Sequence, residues 1–275
     1  MIAELVIEHW LRYGLGVYKA NPLLTELVFM DSSHHGFPGD MGEGFLQDDT
    51  KRWLPNEFTG AQLRYGSLLY AITGNTGNRL LLQGDPSLAH DLDSLGYSII
   101  PVPALDLIAY FAQHDLPIVG AKYGQVPTIV PCFTISLDND NEAQFFIGGV
   151  DDEYVVTATG AEHVFNRADV TGTYHIGIWT NNRLACLWLY SWLVNWYTAS
   201  WDQFGSWGLH DVAMSGTDLH PATPFLPEQV FVRQFTLTAA RWERAVTIYA
   251  PEYVSDLSVA VHMAYAQLRT PTPKR

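Results

Sequence analysis

The residues best suited to chemistry lie in the stretch Asp31 to Asp40, where Asp31, His34, His35 and Asp40 fall close together, with Glu43, Asp48 and Asp49 just downstream. Imidazole nitrogens and carboxylates suit a divalent metal, and Gly36 and Gly39 would let a loop fold around one. A metal-dependent hydrolase centred on Asp31, His34 and His35 is therefore one reading. The spacing matches no common ligand frame, and adjacent histidines in an extended chain point to opposite faces. A solvated loop is the expectation here, and equally for the group His210, Asp211, Asp218 and His220.

The second chemical grouping is acidic. Asp138, Asp140 and Glu142 are continued by Asp151, Asp152 and Glu153, and between Ser136 and Asp169 eight acidic residues stand against one basic residue, Arg167. Closely spaced carboxylates suit calcium, but the EF-hand frame is missing, with no Gly at its sixth position and no Glu at its twelfth. What remains is a hydrophilic hairpin tip or an electronegative loop facing a channel. Phosphate-loop, dinucleotide, His-Glu-x-x-His, Gly-x-Ser-x-Gly and Cys-x-x-Cys signatures are all missing from the sequence. The expectation is a chain that is not an enzyme and holds neither cofactor nor metal.

Composition narrows the classes further. Charged residues make up 16% of the 275, against the quarter or so usual for soluble domains, while 48% are hydrophobic and 13% aromatic. Such a chain builds a large core, hides part of its exterior in an assembly, or both. A net charge of −14 argues against a protein that grips nucleic acid through its phosphates, and suits a surface that DNA slides past. Cys132 and Cys186 read as buried thiols rather than a disulfide framework. Acidic residues near the N-terminus, where a signal peptide would be basic, lead us to expect no export.

The elements that must position these residues centre on Gly172 to Gly208. An alternating strand, with Tyr174, Ile176 and Ile178 on one face and Thr173, His175 and Trp179 on the other, runs to Thr180. Asn181 or Asn182 then caps a long apolar helix reaching Trp201. Trp188, Trp192 and Trp196 recur every four residues, with Leu184, Leu187 and Val194 beside them, so the helix is expected to be apolar over most of its circumference. Such a helix is either sandwiched in a domain or shared with another subunit, and Trp188, Trp192, Trp196 and Trp201 are the candidate subunit-packing residues. A membrane span is disfavoured, because Ser191, Asn195 and Thr198 interrupt it and the tryptophans are not kept to its ends.

Elsewhere the periodicity predicts an amphipathic helix over 2–13 ended by Gly14 and Gly16, and a Gly/Pro-punctuated β-rich stretch with a meander over 62–65, 68–72 and 79–83. A strand at 97–102, a helix at 104–114 and strands at 126–137, 143–149 and 153–159 follow. A linker at 221–227, a long alternating run at 229–248 and a loose basic tail at 269–275 complete the chain. The fold class expected is α+β, an antiparallel-dominated mixed sheet with packed helices plus an inserted β-rich module. The expected division is an N-terminal helix at 1–21, the insert at 22–98 and the main α+β domain at 99–275.

Several of these segments together carry a resemblance. Val126 to Val130 leading into a strand, Gly172 to Thr180 entering the helix that contains Leu184 to Tyr190, the turn at Gly208-Leu209 and the late run Val230 to Leu237 resemble the tail-terminator and neck proteins of long-tailed bacteriophages. The likeness covers roughly 60% of the chain, from about Leu105 onward, and is one of pattern without a diagnostic motif. The chain departs from the short form of that family by its size and by the insert at 22–98. The resemblance implies a non-enzymatic subunit of a ring homo-oligomer, often sixfold, that caps the tail tube and joins it to the head connector. Its implied partners are copies of itself and tail-tube, sheath and head-connector proteins. DNA would only pass through, and no membrane is involved. The implied location is the virion neck or tail, assembled in the host cytoplasm, with Asp138, Asp140, Glu142, Asp151, Asp152 and Glu153 facing the channel. The competing expectations are another β-rich virion or glycan-binding protein, whose Trp and Tyr would stack on sugars, and the metal-dependent hydrolase.

Overall fold

The structure, a computed structural model, describes residues 3–88, 96–120, 127, 129–145, 153–156, 162–217, 230–247 and 261–262. The linker at 221–227, the tail at 269–275, and Asp151, Asp152, Asp218 and His220 lie outside the described residues. The chain is an α+β protein with two sheets. Its contacts divide it into two compact units: Met1–Arg12, Pro117–Asn181 and Tyr197–Arg275 form one, and Tyr13–Leu116 with Asn182–Trp196 form the other.

The second unit holds a seven-stranded sheet built from β1 (His35–Gly36), β2 (Asp40–Gly42), β3 (Phe45–Gln47), β4 (Gln62–Tyr65), β5 (Leu68–Asn75), β6 (Arg79–Gln83) and β7 (Tyr97–Ile100). Its order is β1-β7-β4-β5-β6-β3-β2, with every pairing antiparallel. The predicted meander is β4-β5-β6. Alternation along these short strands sends Leu63, Tyr65, Ile72, Leu80, Leu82, Tyr97 and Ile99 into one core with Leu46, Trp53 and Phe58.

Helical segments complete this unit. They are α1 (Ala3–Ala20), of which the part from Tyr13 belongs here, α2 (Pro22–Leu27), α3 (Val102–Gln113) and α4 (Arg183–Ser200) as far as Trp196. Asn182 caps α4, its Oδ1 accepting from Leu184 N at 2.9 Å and from Ala185 N at 3.4 Å. Ala185, Cys186, Leu189, Trp192, Leu193 and Trp196 are buried at three- and four-residue spacing, whereas Leu184 is 54% exposed. Between them Leu187, Trp188, Tyr190 and Val194 are half-buried, and full exposure is confined to the ends of the helix, as its apolar circumference leads one to expect. A difference from expectation is α1, which runs through Gly14 and Gly16 to Ala20 rather than ending there. On α2, Glu26 is buried and takes a bidentate pair from Arg64 on β4, at 2.5 and 2.6 Å.

The first unit is built on a sheet of β8 (Ile118–Gly120), β9 (Cys132–Phe145), β10 (Glu153–Val156), β11 (Glu162–Thr180), β12 (Leu209–Gly216), β13 (Phe231–Thr247) and β14 (Val261–His262). The order is β12-β13-β11-β9-β8, with β10 on β11 and β14 on β13. Only β8 with β9 is parallel among these pairings. Register places Phe133, Ile135, Tyr174, Ile176, Ile178, Phe235 and Leu237 on one face, and all are buried. That core also takes in Trp10, whose indole Nε1 donates to Ser200 Oγ at 2.8 Å, and Phe204 from α5 (Gln203–Ser206), 5.1 Å from the Trp10 ring. On the opposite face Trp179 packs with Cys132, Val230 and Val232 and donates to Thr134 Oγ1 at 2.9 Å.

Candidate functional site

The histidine-carboxylate stretch is taken up by local architecture. Asp31 is the N-cap of a 3-10 turn over Ser32–His34: its Oδ1 accepts from Ser33 N at 2.7 Å and Ser33 Oγ at 2.6 Å, and meets His34 Nδ1 at 2.8 Å. The Ser33 hydroxyl, then His34, then the Ser33 amide hold the Asp31 carboxyl well below the usual carboxylate range. His35 turns the other way, its Nδ1 lying 3.1 Å from Ser98 Oγ across the β1–β7 pairing.

Asp48 goes into the core of the same unit, where it accepts from Tyr97 OH at 2.6 Å, Thr50 Oγ1 at 2.6 Å and Thr50 N at 2.9 Å. Burial pushes its carboxyl up, but these hydrogen bonds outweigh it and leave it below the ordinary value. Burial first, then the hydrogen bond to Asp48 and its charge, pushes the Tyr97 hydroxyl strongly upward. Asp49 is bonded to Gln47 and Asn78, at 2.8 and 2.9 Å. Among the described residues no three metal-ligating side chains converge.

The acidic segment is placed differently from its expectation. Asp138, Asp140 and Glu142 are not a hairpin tip but lie within β9, whose pairing with β11 continues to Phe145 opposite Ala168. Glu153 opens β10, opposite Phe165. Thr173 pairs with Asn139 and Tyr174 with Leu137, so Asp138 is the extra residue of a bulge. The bulge aims its carboxylate at β11: Asp138 Oδ2 lies 3.4 Å from His175 Nε2, while His175 Nδ1 lies 3.0 Å from Thr236 Oγ1 on β13. A carboxylate, an imidazole and a hydroxyl thus bridge three adjacent strands. The alternation of β11 puts His175 on the polar face in sequence, but nothing in sequence marks the bulge that brings Asp138 to it.

The candidate packing tryptophans separate. Trp192 is fully buried against Tyr18 and Phe111, each with ring centroids 5.9 Å away, and Trp196 lies 5.9 Å from Tyr13 and 6.1 Å from Tyr18. Both fill the core of their own unit, and Trp188 is half-buried. Trp201, just past the end of α4, keeps 59% of its surface exposed. No helix among the described residues is long and apolar enough to cross a membrane.

A feature missed in sequence is an open apolar groove of about 580 Å³ in the first unit, lined by Leu5, Val6, His9, Ser206, Trp207 and Gly208. The His9 and Trp207 rings meet edge to face there at 5.7 Å. Its apolar wall comes from the early turns of α1, whose outward Leu5 is 58% exposed. Periodicity marks Leu5 as part of the helix stripe but does not say that the stripe is left partly open. No protein-family model matches this chain, and no curated protein matches it in sequence.

Proposed function

We propose that the chain is a non-catalytic subunit of a ring homo-oligomer in the neck of a long-tailed bacteriophage, a tail terminator or head-to-tail connector through which DNA passes. The observation that carries this reading is the ribbon of β11 and β13. The 17 residues of β13 pair without a break along the 19-residue β11, from Val164 opposite Thr247 to Thr180 opposite Phe231. At about 3.4 Å per residue such a ribbon is roughly 55 Å long, against the three to ten residues of an ordinary strand. A ribbon of that length outruns what one small core covers, and copies set around an axis would cover the remainder. A cyclic ring needs two different complementary faces on each subunit.

The charge supports the same reading. A surplus of acidic residues repels phosphates, so a genome can move through such a ring without being held. Negative-stain electron microscopy of the purified chain tests the proposal, with closed rings of uniform rotational symmetry, sixfold in the favoured case, as the expected result. A population of single protomers at high protein concentration would overturn it.

A further inference from the structure

We propose that copies of this chain join through the two open edges of the first unit's sheet, β12 of one copy lying antiparallel on β8 of the next. The partner, a second copy, rests on the ring reading; the inference adds which segments meet. The order β12-β13-β11-β9-β8 leaves β12 and β8 at its ends, and among the described residues no strand covers the outer side of either. Thr217 N donates to Gln234 O at 3.1 Å, in register with the pairing of Gly216 with Phe235 and of Met214 with Leu237. Hydrogen-bonded pairs alternate along an antiparallel ladder, so Met214 and Gly216 turn both N–H and C=O away from β13. On β8, Phe133 N donates to Pro117 O at 2.9 Å while Ile118 pairs with Phe133. Pro117 and Val119 therefore face β9, and Ile118 and Gly120 turn their N–H and C=O outward. Ala213 to Gly216 are all exposed and carry neither charge nor proline, the devices that ordinarily keep sheet edges apart.

Strand direction and side-chain size fit the same junction. β12, β13, β11 and β9 alternate in direction and β8 follows β9, so β12 and β8 run oppositely. A rotation axis along the strands preserves those directions and makes the junction antiparallel. Setting Gly216 opposite Ile118 also sets Met214 opposite Gly120, and each of these pairs exchanges its outward N–H and C=O groups. Met214 is level with Leu237 and Ile118 with Phe133, both on the buried face, so that face continues across the junction with one large side chain against a glycine in each pair. Gly120 has no positive φ, and a Cβ built on it meets nothing within 4 Å. Its smallness answers to no contact among the described residues, and it leaves space for Met214, which is 38% exposed.

Cysteine cross-linking of the full-length chain tests the junction. Within one copy β8 and β12 are separated by three strands, roughly 19 Å, too far for a disulfide, whereas the pairing brings Gly120 and Met214 of neighbouring copies to about 5.5 Å. Cys132 and Cys186 are buried and keep the background low. Under copper-catalysed air oxidation the Gly120→Cys, Met214→Cys double variant should give a ladder of covalent multimers on a non-reducing gel, while each single variant stays at one chain. Dimers from Met214→Cys alone would overturn the pairing in favour of β12 on β12. No ladder from a double variant that light scattering shows to be assembled would overturn the junction and leave the ring standing. A ladder without an upper limit would support the junction and overturn the ring, and a wild-type chain that stays single would overturn both. Met214→Pro decides should the double variant fail to fold, because it removes only an outward N–H. Its circular dichroism should match the wild type while its mass falls to that of one chain; a variant that still assembles would overturn the junction.

Discussion

At the scale of single residues, Gly14 shows how packing can overrule local preference. A Cβ at that position would lie 2.5 to 2.8 Å from the indole of Trp196, a buried ring with no free end to swing away. The glycine that sequence reading takes as a helix stop is instead where α1 makes room for Trp196. Gly14→Ala gains up to about 1 kcal/mol of helix propensity, but overpacking costs about 1–3 kcal/mol, so a net loss of stability is expected in denaturant titration. A stabilised variant would contradict the close approach. Gly36 is similar, since a Cβ there would fall 2.3 Å from Asp48 Oδ2 and 2.6 Å from the Tyr97 hydroxyl. That bond carries a pH signature. The Asp48 carboxyl is depressed in the folded state, so its contribution is complete above the unfolded carboxyl value, near 4, and is lost as pH falls through the folded value. The stability difference between wild type and Asp48→Asn should be constant above about pH 5 and shrink below about pH 4. A difference that holds level into stronger acid would contradict this assignment.

At the scale of elements, what sequence reveals depends on whether a cue is local. Alternation with Gly turns marks β4, β5 and β6, and Asn182 before an apolar run marks the start of α4, because turn and cap chemistry acts within a few residues. The extents of β9 and β11 are not legible in that way. Asp138 to Glu142 has the composition of a hairpin tip, and only pairing with β11 makes it strand. Which residues of α4 are most deeply buried is equally hidden, because its tryptophans and leucines look alike from every side until Tyr18 and Phe111 close on Trp192. That packing makes Trp192 a structural anchor of its unit. Trp192→Ala should destabilise the unit by about 3–5 kcal/mol in chemical denaturation, and a loss under 1 kcal/mol would show α4 to be peripheral.

At the scale of the whole molecule, the features left unexplained by folding point outward. Few charged residues, a surplus of acid, a β11–β13 ribbon of 17 paired residues and an open apolar groove beside α1 suit a chain that finishes its surface against copies of itself. Of the candidate sites, sequence pointed to the carboxylates and histidines but not to their use. Asp31 caps a turn, Asp48 anchors a tyrosine, and Asp138 meets a histidine through a bulge that no spacing rule foretells. The most direct test of the ring is the mass of the purified chain in solution by light scattering across a range of concentrations. A closed ring gives one species at a fixed multiple of the 30.8 kDa chain, unchanged on dilution into the micromolar range. A mass of one chain at every concentration would contradict it.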